Sequence, residues 1–493
     1  MELQFSQKSL PYLHRAVWEC KNEEQTQEVK LADSLPDIGR ILGAWGQPLV
    51  RSKEWRGSSM GVSGGVMVWI LYAPEEGTLQ CVNTWIPFQS QWEFPQTQRD
   101  GVMRVSCLLK GIDARTISAR KMIVRAVVST MGEALEPTQA EVYEAMEVPA
   151  DVQLRKQTYP VCLAVEAGEK RIVLDEAFTP EDETVAKGKI LHGSVLPEIS
   201  ELKVMADKLV FRGSAKVHVA CAWDDTIKSY DFEIPFSQYA ELEREYGSAG
   251  GADIIPAVTN LEMDIQESGA LRLKMEIIGQ YMVYEKPDLE VITDAYSTKR
   301  AVTLHRQSLA LPDMVQIHQE TIPVELETEV SAGRMIQSNL SVGHPTMRKA
   351  ENGCHLELPG NVQILAQDED GNLEGLSHRC QKEWDIPDSC HGQVLARCSP
   401  KGKTQAAPGG IRGEVTVNWM VTSQTDIPMV TTLEVGEVIS PDSERPSLIL
   451  QRKGSDSLWD IAKACLSTVD AIREANGLSD EPLDDQVLLI PVS

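Results

Sequence analysis

The amino-acid sequence predicts a mainly β protein: three tandem sandwich- or barrel-like domains followed by a small strand–helix–helix–strand module. Three observations predict it. An apolar strand, an acidic turn and a return strand ending in Ile-Pro recur three times along the chain. Each copy is followed by a run in which apolar and charged residues alternate, the mark of a strand with one face buried. The last fifty or so residues instead carry apolar side chains at helical spacing between two short β-like runs. At ~100–200 residues per domain, a chain of 493 residues holds three or four such units.

In the first copy, residues 66–72 (VMVWILY) supply the buried strand, residues 74–77 the turn, and the return reaches Ile86-Pro87. Residues 216–222, Asp224-Asp225 and Ile234-Pro235 take these places in the second copy. Residues 362–366, 368–371 and Ile386-Pro387 take them in the third. The Ile-Pro pairs lie 148 and 152 residues apart, so the repeating unit is a whole domain and not a solenoid turn. Alternating strands follow at residues 121–128, 271–278 and 414–421, and a Leu-Pro-acid element precedes each copy, at Leu35, Leu196 and Leu311. Proline in the Ile-Pro pairs belongs at a strand edge or end, where its missing N–H costs least. Helix is expected only in short pieces, such as residues 237–246 (SQYAELEREY). Boundaries near Pro149, within residues 293–299 and in the polar stretch 440–446 divide the chain into domains at 1–149, 150–293 and 294–440, a linker at 441–446 and a module at 447–493. The linker, with its two prolines, is expected to hold the module away from the third repeat.

Lys and Arg number 47 against 73 Asp and Glu, a net charge of -26, which disfavours nucleic acid and anionic membrane as partners and favours solubility or a basic protein. No run approaches the ~20 apolar residues of a membrane span. The first residues lack a basic start, an apolar stretch and a small-residue cleavage site, so no signal peptide is read. The cysteines are scattered, as expected of reduced thiols in a cytoplasmic compartment.

In the C-terminal module Leu448, Leu450 and Arg452 alternate, Gly454 breaks the run, and Ser455 to Ser457 offer caps to a helix carrying Leu458, Ile461, Ala462 and Cys465. A second helix fits residues 468–475, stopped by Asn476-Gly477, before a strand at residues 487–490. These residues resemble the LysM family. Its Gly-Asp-Ser-Leu-Trp-x-Ile-Ala-Lys start appears as Gly454, Asp456, Ser457, Leu458, Trp459, Ile461, Ala462 and Lys463. Its middle appears as Thr468, Val469, Asn476 and Leu478, and its end as Gln486, Leu488, Ile490 and Pro491. Ser455 is an extra residue relative to that pattern, and Asp485 stands where the family usually has glycine. The resemblance implies a groove between the loop after the first strand and the loop after the second helix. The candidate binding residues are therefore Gly454, Ser455, Asp456, Ser457, Leu458, Asn476, Gly477 and Leu478, with Trp459 and Ile461 as core. Gly454 and Gly477 permit close backbone approach of a ligand.

The N-terminal phrase carrying Leu35, Pro36, Asp37, Ile38, Ile41, Gly64, Val66, Val68, Leu71, Tyr72, Glu76 and Gly77 is similar to the start of the SPOCS domain of sporulation proteins. Repeated SPOCS-like units before one LysM resemble the layout of SipL-type spore coat morphogenetic proteins. That resemblance implies a non-enzymatic scaffold in the mother-cell cytoplasm at the forespore surface, its LysM docking a SpoIVA-type coat ATPase. The alternative is a LysM-mediated binder of peptidoglycan or other N-acetylglucosamine glycan at cell wall or cortex.

No Gly-x-Ser-x-Gly, Walker-type, His-Glu-x-x-His or Rossmann pattern occurs, so no catalytic residue, cofactor or metal is assigned. The acidic pairs Glu75-Glu76 and Asp224-Asp225 read as turn chemistry. Cys354-His355, His378, Cys380, Cys390-His391 and Cys398 in the third repeat lack the paired spacing of a zinc knuckle and read as free thiols and surface histidines.

Overall fold

The computed structural model describes residues 2–93, 101–144, 148–179, 188–223, 226–247, 250–327, 334–350, 353–368, 370–387, 393–400, 404–407, 410–439, 446–479 and 486–492. After a short β1 (Glu2–Gln4), the first repeat contains β2 (Ser6–Lys30), β3 (Ile38–Arg56), β4 (Ser59–Pro74), β5 (Gln80–Glu93), β6 (Val102–Ser118) and β7 (Lys121–Glu144). They form two antiparallel sheets, β2–β7–β6 and β3–β4–β5. Alternation along β7 puts Met122, Val124, Ala126 and Val128 on one face, where they share a core with Val66, Val68 and Ile70 of β4. The unit is a small sandwich.

The second repeat has the same plan. It runs through β8 (Val152–Pro160), β9 (Leu163–Phe178), β10 (Lys189–Trp223), β11 (Thr226–Tyr246), β12 (Gly251–Ile265), β13 (Leu271–Glu285) and β14 (Asp288–Ser297). β9–β13–β12 form one sheet, and β8–β14 continue its outer pair. β10 is itself folded back: Ala206 has a positive φ of 52°, and Glu198 of the first half lies beside Gly213 of the second. The third repeat comprises β15 (Arg300–Glu327), β16 (Arg334–Val342), β17 (Thr346–Ala350), β18 (Gly353–Gln367), β19 (Leu373–Pro387), β20 (Gln393–Pro400), β21 (Gln405–Ala407) and β22 (Gly410–Val438). β22 pairs with β15, β20 and β21, while β18 pairs with β16, β17 and β19.

Three expectations change. Residues 237–246 belong to β11 and not to a helix, because Phe236, Ala240 and Leu242 are buried at intervals of two and four, a strand period, and residues 236–241 and Tyr246 pair with the second half of β10. β14 runs through the boundary expected at 293/294. The third Ile-Pro pair is out of register with the other two. Ile86 lies opposite Val66 and Ile234 opposite Ala215, two residues beyond Gly64 and Gly213, whereas the residue two beyond Gly360, Val362, faces His378. Those glycines are the better marker of the repeat. A Cβ on Gly64 would lie 2.1 Å from the Leu49 carbonyl oxygen, one on Gly213 2.1 Å from that of Glu198, and one on Gly360 2.8 Å from that of Ser341. Asp224-Asp225 and residues 388, 390, 391 and 440–445 lie outside the described residues.

The long first and last strands of each repeat pair as ribbons, β2 with β7, β8 with β14 and β15 with β22. All three ribbons meet in shared apolar clusters. One contains Ala140 and Val142 of β7, Leu289 and Val291 of β14, and Ile427 and Met429 of β22. β1 pairs with β22, Leu3 opposite Leu433, and stitches the N-terminal end to the third repeat. A buried ionic tie also joins the three. Arg104 donates to Glu133 at 2.7 Å and to Asp253 at 2.9 Å, and Arg397 donates to the other oxygen of Asp253 at 2.6 Å. Burial alone would raise the pKa of Asp253, but Arg397 and Arg104 outweigh it and hold the carboxyl well below its usual range.

Candidate ligand-binding module

The last module is built from four short elements. β23 (Leu448–Arg452) and β24 (Val487–Pro491) pair antiparallel, Leu450 opposite Leu489. Between them lie α1 (Leu458–Ala464) and α2 (Val469–Asn476). Helices this short do not persist alone in water, so caps and a shared core must hold them. The Ser457 hydroxyl accepts the Asp460 N–H at 3.3 Å and the Asp460 carboxylate accepts the Ser457 N–H at 3.3 Å, a reciprocal capping box. Thr468 caps α2 by accepting the Ala471 N–H at 3.1 Å. Gly477 ends α2 in the left-handed region, φ 60° and ψ 36°, where a Cβ would be costly. Leu458, Ile461, Ala462, Ile472, Leu488 and Ile490 fill the core.

The candidate site residues divide by role. Gly454, Ser455, Asp456 and Gly477 are exposed, and Ser457 and Leu478 are half-buried. A Cβ on Gly454 would meet nothing within 4 Å. Leu458 is fully buried in the core. The Asn476 amide is also committed: its Nδ2 donates to the Ile472 and Leu489 carbonyls at 2.7 and 2.6 Å, and its Oδ1 accepts the Leu489 N–H at 2.8 Å. Asn476 thus ties the end of α2 to β24. The two loops therefore expose backbone and short side chains, while the side chains of Leu458 and Asn476 are occupied within the module. Asp480 and Asp485 lie outside the described residues.

The module is not held away from the body, as the linker reading expects. Trp459, read as core, is half-buried against the LysM core and also donates its indole N–H to Asp294 of β14 at 2.8 Å. Lys463, one helical turn on, donates to the same carboxylate at 2.7 Å, and Tyr296 donates its hydroxyl to the Ser467 carbonyl at 2.8 Å. Burial would raise Asp294, but the bonds from Lys463 and Trp459 outweigh it and hold the carboxyl below its ordinary value. Sequence reasoning missed both Asp294 and Tyr296, since they lie 165 to 171 residues from their partners. Within the module, the outward face of the β23–β24 ladder presents Leu448, Leu450, Val487 and Leu489, 51%, 67%, 57% and 36% exposed.

The cysteines and histidines of the third repeat are dispersed. His355 is bonded to Asp385 at 2.7 Å, Cys398 is buried and donates to the Gly343 carbonyl at 3.0 Å, and Cys380 packs against the repeat's core. Among the described residues, no three His, Cys, Asp or Glu side chains are grouped to hold a metal ion. Among the described residues no helix is long and apolar enough to cross a membrane.

Together the geometry defines a repeat-built β protein carrying a small C-terminal recognition module. That module is a LysM domain: residues 453–491 match the LysM domain family. LysM is a binding domain whose presence points to peptidoglycan or a related glycan as ligand. No curated protein and no solved structure matches the chain.

Proposed function

We propose that this protein is a non-enzymatic scaffold of spore envelope assembly, in which the three-repeat body presents the LysM to a SpoIVA-type coat ATPase in the mother-cell cytoplasm. The observation that carries the reading is the orientation of the module. The α1 face is taken up by the body, while the loops bearing Gly454, Ser455, Asp456 and Gly477 are open. The SPOCS-like residues from Leu35 to Gly77 supply the biological setting. The exposed aliphatic face of the ladder suits a protein partner better than a sugar, which packs best on aromatic rings. A second reading, binding of N-acetylglucosamine glycan, is favoured by the LysM match itself.

The test is a titration of the full chain against the ATPase and, in parallel, against N-acetylglucosamine oligomers, with Gly454→Trp as the groove variant. Gly454 has open space around it, so the bulky side chain fills the groove without straining the fold. Saturable binding of the ATPase, lost in Gly454→Trp, is the expected result. Binding of the sugar alone moves the assignment to the second reading, and binding of neither overturns both.

A further inference from the structure

One strand of the second repeat carries the LysM. In β14, Ile292 pairs with Lys156 and Asp294 with Arg155, which leaves Thr293 as the extra residue of a β-bulge. A bulge re-aims the side chains that follow it. Beyond this one, Ala295 is buried in the body's own cluster with Ile292 and Val430, while Tyr296 is buried in the LysM core cluster with Leu458 and Ile461. Asp294, two residues from Tyr296, lies on the same face of the strand.

Asp294 accepts from three donors on two other parts of the chain: Trp459 and Lys463 of α1, and Arg306 of β15 at 2.7 Å. Its side chain is 15% exposed, so these charge-assisted bonds are partly shielded from water. The Tyr296 ring meets the Trp459 ring edge-on, 4.9 Å between centroids and 74° between planes. Trp459 and Lys463 are four residues apart and so share one face of α1. The contact therefore combines a partly buried aromatic pair, an ion pair, a charge-assisted hydrogen bond from the Trp459 indole and a neutral one from the Tyr296 hydroxyl.

We propose that the LysM is a docked module and that Asp294 and Tyr296 are positioning residues for its ligand site. The coupling runs through α1. The helix that the body grips at Trp459 begins at Leu458, and its capping box at Ser457 and Asp460 fixes the end of the Gly454–Ser457 loop. Gripping the helix lowers the conformational freedom of the loop before any ligand arrives, so a ligand has less to order on binding. The relation is reciprocal: a ligand on the loop strengthens docking by the same factor. The docking claim stands on the contacts alone. The positioning claim rests on the groove proposed above.

The experiment uses the full chain and the variants Asp294→Asn, Tyr296→Phe and their combination, none of which touches the groove. Hydrogen exchange is followed in peptides covering residues 458–467, and affinity is measured for N-acetylglucosamine oligomers and for the coat ATPase. Loss of the Asp294 charge removes a charge-assisted pairing, so exchange of the α1 amides should quicken by about tenfold or more, while body peptides away from Arg306 and β14 are unchanged. Whichever ligand the wild type binds should bind the double variant several-fold more weakly, and Asp294→Glu should restore part of the loss. Unchanged α1 exchange in the double variant overturns docking. Faster exchange with unchanged affinity overturns positioning. If the wild type binds neither ligand, the proposed function and the positioning claim both fail, and the exchange data still decide docking.

Discussion

The contacts between repeats should loosen in mild acid, because two histidines are buried there in neutral form. His192 of the second repeat stacks on Trp45 of the first, rings 4.5 Å apart and 9° from parallel, with the Gln337 amide of the third repeat against its Nε2. Burial, and then the neighbouring His218 ring 5.5 Å away, push His192 down to about 3. His344 of the third repeat reaches into the first. Its backbone N–H donates to the Ser129 hydroxyl at 3.0 Å and its Nε2 lies 3.2 Å from the Ser106 carbonyl. Burial, opposed by that carbonyl and aided by the Arg397 charge, leaves it at about 4. In the unfolded chain each imidazole titrates near ~6.5. Between the two values the unfolded state binds more protons, so this stability is complete above the unfolded pKa and is lost as pH falls below it. At about pH 5 each histidine withdraws about 2 kcal/mol, together about 4 kcal/mol relative to about pH 7.5. Urea unfolding at both pH values, on the wild type and on His192→Gln with His344→Gln, measures the difference. The double variant should lose about 4 kcal/mol less on acidification, whatever its stability at neutral pH. Equal losses in the two proteins would refute the assignment of buried neutral histidines to the repeat contacts.

Asp253→Asn keeps the side-chain shape but leaves Arg104 and Arg397 sharing a buried site without their common anion. A cost of about 3–5 kcal/mol is expected in urea unfolding, and charge-removing changes at both arginines should recover part of it. Alanine at Gly64 or Gly213 drives a Cβ into a backbone carbonyl 2.1 Å away, whereas at Gly360 the gap is 2.8 Å. Calorimetry should therefore rank Gly64→Ala and Gly213→Ala as the more damaging, by about 1–3 kcal/mol each, with Gly360→Ala milder. Asn476→Ala removes two hydrogen bonds between α2 and β24 and one within α2, so hydrogen exchange should show the LysM itself loosening by about 1–3 kcal/mol, with the body unaffected.

How far the fold is legible in the sequence depends on whether its causes are local. The LysM is legible almost to the residue because its boundaries are cap chemistry: Ser457, Thr468 and Gly477 each act on a backbone group within four residues. The β body is legible as a class, since alternation such as that of residues 271–278 needs no knowledge of the partner strand. Registers are another matter. Residues 237–246 have the charged, Ala- and Leu-bearing composition of a surface helix, and only their pairing with the second half of β10 makes the buried set Phe236, Ala240 and Leu242 a strand face. Ile386-Pro387 misleads for the same reason. A dipeptide repeats readily by chance, whereas a glycine pressed on the neighbouring carbonyl is a requirement of the packing, and Gly64, Gly213 and Gly360 stand 149 and 147 residues apart.

The site is less legible than the fold, and the clamp shows why. Residues 293–299 (TDAYSTK) read as a polar boundary, and that composition does suit a loop between domains. A strand that faces two different bodies has the same composition. Ala295 turns toward the repeats, while Asp294 and Tyr296 turn toward a module that begins some 150 residues later. Each face asks for only one or two residues, so neither leaves a periodic trace. Trp459 carries the same ambiguity from the other side. The LysM resemblance explains a tryptophan at that position and so removes the motive to ask what its indole N–H bonds to. The bond goes to Asp294, and a hydrogen bond across about 165 positions of chain is information that only the folded molecule holds.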